Sequence, residues 1–366
     1  MTTVKPTDDH LKVITVITMK LAQLGLEVSF VEPITTGPLV TTYRFIPKSA
    51  AKVSQIVGCT QDIALSLKAE DVLIRRLPGE AVIGVSVPNA TRTNVMWRDT
   101  LAMPPEQNIL PLNLGVDSEG RLFRDDFTKC PHLLVGGSTG GGKSIWLTGV
   151  IASLMYWRSP QQVQFILSDT KTVEFTNFVG SPHITGTIAH TMYETWDKMD
   201  WIIDKMEERL VMLGKAGYRD VAAYNSRNLT QQLPYYVLVI DELFDILGGS
   251  ERGEGKIATD KLARIVAKSR AAGCHVLAAT QRSTVDVVSG RVKTNFPSRL
   301  TFRLPNESDS RTIINIGGAE HLMPWGDMLY TGPASTAVKR LHSAFTELSD
   351  VQQAVALGKM KASMAG

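Results

Sequence analysis

The chain has 366 residues, 43% of them hydrophobic and 20% charged, which gives room for two domains with separate cores. Its 39 lysines and arginines against 36 acids leave a formal charge of +3, too near neutrality to mark the whole molecule as a polyanion binder. No apolar run approaches the roughly 18 residues of a membrane span, and the opening Met1-Thr-Thr-Val-Lys-Pro6 carries no apolar signal core, so a cytoplasmic protein with no membrane partner is expected.

In chain order, the first predicted element is a helix over His10 to Leu24. Strands follow at 40–46, 71–77 and 81–87 around a helix that includes Val53 to Leu67. Together they predict a small α+β domain with a leading helix over residues 1–105, closed by a linker at Met103-Pro-Pro-Glu-Gln107. The three cysteines, Cys59, Cys130 and Cys274, are widely spaced in apolar or strand contexts without metal-ligand spacing, and read as small buried hydrophobes in a reduced compartment. His132 and His183 each follow a proline at the edge of an apolar segment, where a packing role is expected.

The apolar run Leu133-Leu-Val135 leads into Gly137-Ser-Thr-Gly-Gly-Gly-Lys143-Ser144 and then Ile145-Trp-Leu147. This is the strand, glycine loop, helix order of a phosphate cradle. A chain of this length shows G-x-x-x-x-G-K-[ST] by accident on the order of one time in a hundred, so ATP is the expected ligand. Backbone N–H groups of Gly137, Ser138, Thr139, Gly140, Gly141 and Gly142 would wrap the phosphates. Lys143 would reach the β- and γ-phosphates, and the Ser144 hydroxyl would ligate Mg²⁺.

A strand at 163–168 and a long helix come next; Trp196, Met199, Ile203, Met206, Leu210 and Leu213 make one apolar stripe on that helix. Tyr235-Tyr-Val-Leu-Val-Ile240 reads as a buried strand ending in Asp241 and Glu242. Asp241 suits the water shell of Mg²⁺, and Glu242 can polarise a water for in-line attack. The strand at 163–168 is taken as the one inserted between the phosphate-loop strand and the carboxylate strand, as in hydrolytic, motor-type phosphate-loop proteins. A helix from Lys261 to Arg270 and a strand at 275–280 then lead to Gln281, an amide placed to sense the γ-phosphate. From Lys261 to Arg311 there are ten Lys or Arg residues against three acids. That stretch could be a polyanion footprint, a set of arginines acting on a neighbour, or a solvated face.

Several segments together resemble the motor part of the FtsK/SpoIIIE family of double-stranded DNA translocases over roughly residues 10 to 355. They are Gly37-Pro-Leu-Val-Thr-Thr-Tyr43, Pro131-His132 through Lys143-Ser144, Leu233-Pro234 through Asp241-Glu242, Lys268-Ser-Arg-Ala-Ala-Gly273, Ala278-Ala-Thr-Gln-Arg282, Asp309-Ser-Arg-Thr-Ile313 and Gly326-Asp-Met-Leu-Tyr330. The resemblance implies an α/β fold: a RecA-like ATPase over residues 106–355 behind the N-terminal domain, with 356–366 as a tail. It also implies a homo-oligomeric, hexameric ring around double-stranded DNA, with ATP hydrolysed at subunit interfaces. Arg270, in the segment matching the family's R-A-A-G motif, is the expected arginine finger, with Arg299 and Arg311 as reserves. Loops following the sensor glutamine line the channel in ring motors of this kind, so Arg291 and Lys293 are the expected DNA contacts.

The chain departs from that family in several places. It starts at the α domain and stops soon after Phe345, without the membrane spans or the sequence-reading winged helix of cell-division members, and so reads as a stripped motor suited to a mobile element or phage. Glu307 stands where many relatives have Lys, Thr170 interrupts a D-P-K lead-in between Asp169 and Lys171, and the region from Asn225 to Gln232 is short. Two alternatives remain: a motor of the same branch that moves a protein substrate, as in secretion, and a DNA-binding scaffold that uses ATP only to hold a ring together.

Overall fold

The computed structural model describes residues 3–4, 6–48, 53–69, 71–77, 80–104, 109–247, 253–283, 288, 290–333 and 335–364. Part of the expected linker, residues 105–107, lies outside them, as do residues 284–287 and 289 of the expected DNA segment.

The N-terminal portion is a five-stranded antiparallel sheet in the order β1-β2-β3-β5-β4, made of β1 (Thr3–Val4), β2 (Val28–Thr36), β3 (Val40–Pro47), β4 (Leu73–Arg76) and β5 (Ile83–Pro88). Helix α1 (Asp8–Gln23) opens on a capping box, with Thr7 accepting from the His10 N–H and the His10 ring accepting from Thr7. Its Ile14, Ile17 and Leu21, three and four residues apart, pack with Ile34, Phe45 and Val85 of the sheet. The helix expected over Val53 to Leu67 is broken at Cys59 into α2 (Val53–Gly58) and α3 (Thr60–Leu67).

A nine-stranded sheet follows, in the order β7-β6-β14-β13-β12-β8-β11-β10-β9. Its strands are β6 (Pro111–Asp117), β7 (Leu122–Asp126), β8 (His132–Gly136), β9 (Val163–Ser168), β10 (Tyr235–Ile240), β11 (Cys274–Thr280), β12 (Ser298–Thr301), β13 (Asp327–Gly332) and β14 (Ser335–His342). Pairing is parallel from β12 through β9 and antiparallel in the β13, β14, β6, β7 wing. The separating strand corrects the sequence expectation: β9 lies outside β10, and β11 sits between β8 and β10. Order along the chain is not order in a parallel sheet, because each crossover helix can return the chain on either side of its starting strand.

Alternate residues of the central strands face opposite layers. Leu133, Val135, Val237 and Val239 join helix α4 (Lys143–Trp157) on one face, whereas Leu134, Leu238 and Ile240 meet α5 (Met192–Lys215) and α8 (Glu254–Lys268) on the other. The remaining helices are α6 (Val221–Arg227), α7 (Leu243–Leu247), α9 (Gly290–Asn295), α10 (Glu307–Ile314) and α11 (Leu348–Met364). Residues 356–364, expected in a tail, continue α11. There Lys361 donates to the Met155 and Tyr156 carbonyls at the end of α4. The two sheets meet where Leu73 joins the core of the second, the Arg75 guanidinium donates to the Val338 carbonyl, and His321 pairs with Asp71 at 3.0 Å. No helix among the described residues is long and apolar enough to cross a membrane.

Candidate nucleotide-binding site

Strand β8 ends at Gly136, and the chain turns through Gly137–Gly142 into α4. Gly140 and Gly142 have φ of +80° and +106°, a region that side chains disfavour. A Cβ on Gly142 would also lie 2.8 Å from the Gly326 nitrogen, so this position is closed to other residues twice over. Ser138 ties the loop to the Arg303 carbonyl through its N–H (3.0 Å) and its hydroxyl (2.9 Å), while Gly326 N–H donates to Gly141 O at 2.9 Å. No side chain caps α4 at Gly142, so its first N–H groups and the positive end of its dipole are presented to an anion.

Lys143 is only 3% exposed, and its ammonium donates to the Asp241 carbonyl (2.8 Å) and to Asp241 Oδ1 (3.0 Å). Asp241 is fully buried at the end of β10, and its Oδ2 has no partner. Such an orphaned carboxylate oxygen beside the phosphate-loop lysine fits a hydrated Mg²⁺, which is usually held by one or two carboxylates together with phosphate oxygens and waters. Ser144 is turned to Glu174, donating to Oε1 at 2.8 Å. Glu174 is itself placed by Asp169, whose Oδ2 accepts from the Glu174 and Phe175 N–H groups. The sequence does not single out Glu174, because only the turn after β9 brings it to Ser144.

Glu242, 5% exposed, accepts from the Thr280 hydroxyl at 2.6 Å and from the Gln281 N–H at 3.0 Å, with the Lys171 ammonium 3.7 Å away. The Thr280 oxygen is also 3.1 Å from the Arg282 carbonyl. Thr280 was not singled out from the sequence, where it reads as one more strand residue; its role comes from β11 lying beside β10. The Gln281 side chain reaches the phosphate loop, accepting from the Thr139 hydroxyl at 3.4 Å. Lys143, Ser144, Asp241, Glu242 and Gln281 thus stand at one edge of the parallel sheet.

The arginines stand elsewhere. Arg270 precedes β11 at the opposite edge, exposed, and donates to the Thr128 carbonyl at 3.2 Å. Arg299 spends its guanidinium on the Phe296 and Lys293 carbonyls, and burial lowers its pKa. Arg311 pairs with Glu307 on α10 at 2.6 Å, so the glutamate that departs from the family pattern is matched within its own helix. Arg291 and Lys293 lie on α9. Burial, then the charge of Arg299, lowers the Lys293 pKa.

A parallel sheet with a glycine loop leading into α4, two carboxylates ending β10 and an intervening β11 defines a RecA-like P-loop ATPase fold. Solved structures of that class superpose on it. The pCW3 conjugation coupling protein TcpA, solved as a monomer with ATPγS, aligns with a TM-score of 0.65 at 18% identity over 96% of this chain and 99% of its own. The cytoplasmic domain of the Thermomonospora curvata type VII secretion ATPase EccC aligns at 0.60 and 24% identity, over 72% of this chain and 33% of its own. In sequence, residues 2–89 match the FtsK alpha domain and residues 99–231 match the FtsK/SpoIIIE family. DNA translocase FtsK of Pseudomonas syringae pv. syringae (strain B728a) is 34% identical over 94% of this chain and 46% of its own length. DNA translocase FtsK of Caldanaerobacter subterraneus subsp. tengcongensis is 36% identical over 92% and 47%. The chain belongs to the FtsK/SpoIIIE family, and it spans about half the length of these curated relatives.

Proposed function

We propose that this chain is a magnesium-dependent ATPase motor that moves double-stranded DNA, working in a homo-oligomeric, hexameric ring with active sites between subunits. Residues 1–105 are read as a domain for assembly or substrate handling and 106–355 as the motor. The observation that carries the ATPase reading is the carboxylate pair ending β10. Asp241 is buried on Lys143 with one oxygen unpartnered, and Glu242 is held beside the phosphate loop by the Thr280 hydroxyl and the Gln281 N–H. The DNA substrate is inferred from relatives named DNA translocase, with support from those cations of the basic run between Lys261 and Arg311 that are not, like Lys261, Arg264 and Arg311, already paired with acids.

Bound Mg²⁺ and triphosphate would supply a polarised γ-phosphoryl group. Lys143, now bonded to Asp241, would hold phosphate oxygens, and Asp241 and the Ser144 hydroxyl, now bonded to Glu174, would hold the hydrated metal. Glu242 orients and deprotonates the attacking water. Gln281, already at Thr139, registers whether the γ-phosphate is present, and the residues after it, through Arg291 and Lys293, carry the response to the DNA backbone. Arg270 cannot reach its own phosphate loop from the opposite sheet edge, a placement that suits action on a neighbouring subunit.

The test is steady-state ATP hydrolysis with and without long linear double-stranded DNA, beside Glu242→Gln. Strong stimulation by DNA that is abolished in the variant, with nucleotide binding retained, is expected. Hydrolysis indifferent to DNA would overturn the DNA reading and turn the search to a protein substrate.

A further inference from the structure

The first two residues of α4 are held by different strands. Lys143 bonds to Asp241 after β10, whereas the Ser144 hydroxyl donates to Glu174 Oε1 at 2.8 Å, in the turn after β9. Strands β9 and β10 are neighbours, and the Asp241 N–H donates to the Ser168 carbonyl at 3.1 Å, so the two carboxylates approach the phosphate loop from adjacent strand ends. The turn that carries Glu174 is fixed along its length. Asp169, fully buried, takes the Glu174 and Phe175 N–H groups on Oδ2 at 2.8 and 3.0 Å, and the Thr172 N–H on its carbonyl at 3.2 Å. Thr170 donates to Asp245 at 2.7 Å, and Phe175 is buried in the same core as Leu147 and Val150 of α4. Thr172 has a φ of +60°, a conformation that a β-branched residue keeps only where its surroundings impose it. A turn so constrained sets one carboxylate on one hydroxyl.

A hydroxyl has one hydrogen and two lone pairs. With its hydrogen on Glu174, the Ser144 oxygen keeps both lone pairs for a cation, and a charged acceptor makes that oxygen the better electron donor. Asp241 cannot take the serine hydrogen on Oδ1, which Lys143 occupies. Glu174 stands to Ser144 as a carboxylate stands to a metal-bound imidazole: the partner that fixes a ligand's orientation and raises its basicity. For that task it need touch neither the metal nor the nucleotide.

We propose that Glu174 is a positioning residue for the magnesium site: by accepting the Ser144 hydrogen it aims the Ser144 oxygen at the cation and sets how tightly that cation is held. The proposal rests on the reading that Ser144 ligates Mg²⁺ beside a bound nucleotide, and the experiment separates the two. Mn²⁺ serves as a paramagnetic probe of the site. Free Mn²⁺ is read by EPR while it is titrated into the full chain held in excess over ADP, and ADP binding in EDTA is measured by isothermal titration. Both are done on the unaltered chain, Glu174→Ala and Glu174→Gln. The variants keep the turn, because Asp169 holds the backbone N–H of residue 174 and not its side chain. Glu174→Ala is expected to weaken Mn²⁺ in the ADP complex roughly 10- to 100-fold, the usual cost of removing an outer-shell partner, with metal-free ADP binding unchanged. Glu174→Gln, which keeps an acceptor oxygen, is expected to recover most of the loss. Mn²⁺ affinity unchanged in Glu174→Ala would overturn the proposal. So would equal losses of Mn²⁺ and of metal-free ADP, because Glu174 would then only prop the loop, and so would a Glu174→Gln variant as weak as Glu174→Ala. An unaltered chain that binds ADP yet holds Mn²⁺ no better than free ADP does would overturn the metal reading of Ser144, and the proposal with it. One that binds no ADP would overturn the phosphate-loop reading as well.

Discussion

Lys143 and Asp241 form a buried ion pair at 3.0 Å. Removing one partner from a buried pair costs about 3–5 kcal/mol, because the other is left uncompensated. Lys143→Ala is therefore expected to lower the unfolding temperature of the nucleotide-free protein, besides abolishing nucleotide binding. Adding Asp241→Asn should restore most of the stability and none of the binding. A thermal melt of the two variants beside the unaltered chain checks this; equal melting of the single and double variants would mean that the pair contributes nothing to the fold. Both residues were visible in the sequence because their motifs fix what they must do. Their mutual bond was not, since it depends on β10 and β8 ending at the same edge of the sheet.

Among elements, the junction between the two sheets carries a titratable contact. The His321 pKa is raised, first by its hydrogen bond to Asp71 and with help from the charges of Glu320 and Glu307, against the opposing effect of burial. A folded-state pKa above the unfolded value stabilises the fold fully below about pH 6.5, the ordinary value. The contribution is lost as pH rises through the folded value. Asp71→Asn should then lower the melting temperature more at pH 6 than at pH 8, by an effect within about 1 kcal/mol. Melts at the two pH values that differ equally between variant and parent would remove His321 from this role. The elements themselves were unevenly legible. The apolar stripe of α5 and the run of β10 announced their type, because burial on one or two faces leaves a plain period. The β13 and β14 strands and the β6 and β7 hairpin did not, since Asn, Asp, Gly, Lys and Arg interrupt their apolar residues, although these strands are no shorter than the parallel ones. The place of β9 could not be read at all from a pattern that records faces and not neighbours.

At the scale of the whole molecule, β11 runs from the Arg270 edge to the Gln281 edge. Seven strand residues put roughly 20 Å between them. One copy of the chain therefore cannot complete its own site with Arg270. If Arg270 serves its neighbour, Arg270→Ala and Glu242→Gln should each be inactive alone, and an equimolar mixture should regain part of the DNA-stimulated hydrolysis, as some interfaces pair an intact Glu242 with an intact Arg270. A mixture as inactive as its components would exclude a shared site built from these two residues.

The Thr280 hydroxyl carries a single hydrogen. Two oxygens stand within its reach, one on Glu242 at 2.6 Å and one on the Arg282 backbone at 3.1 Å, and it cannot bond fully to both. If Glu242 turned away, that hydrogen would be left to the Arg282 carbonyl, whose residue already donates its own N–H to the Thr280 oxygen at 3.1 Å. The carboxylate that ends β10 and the backbone that leaves β11 thus share one hydroxyl rotor.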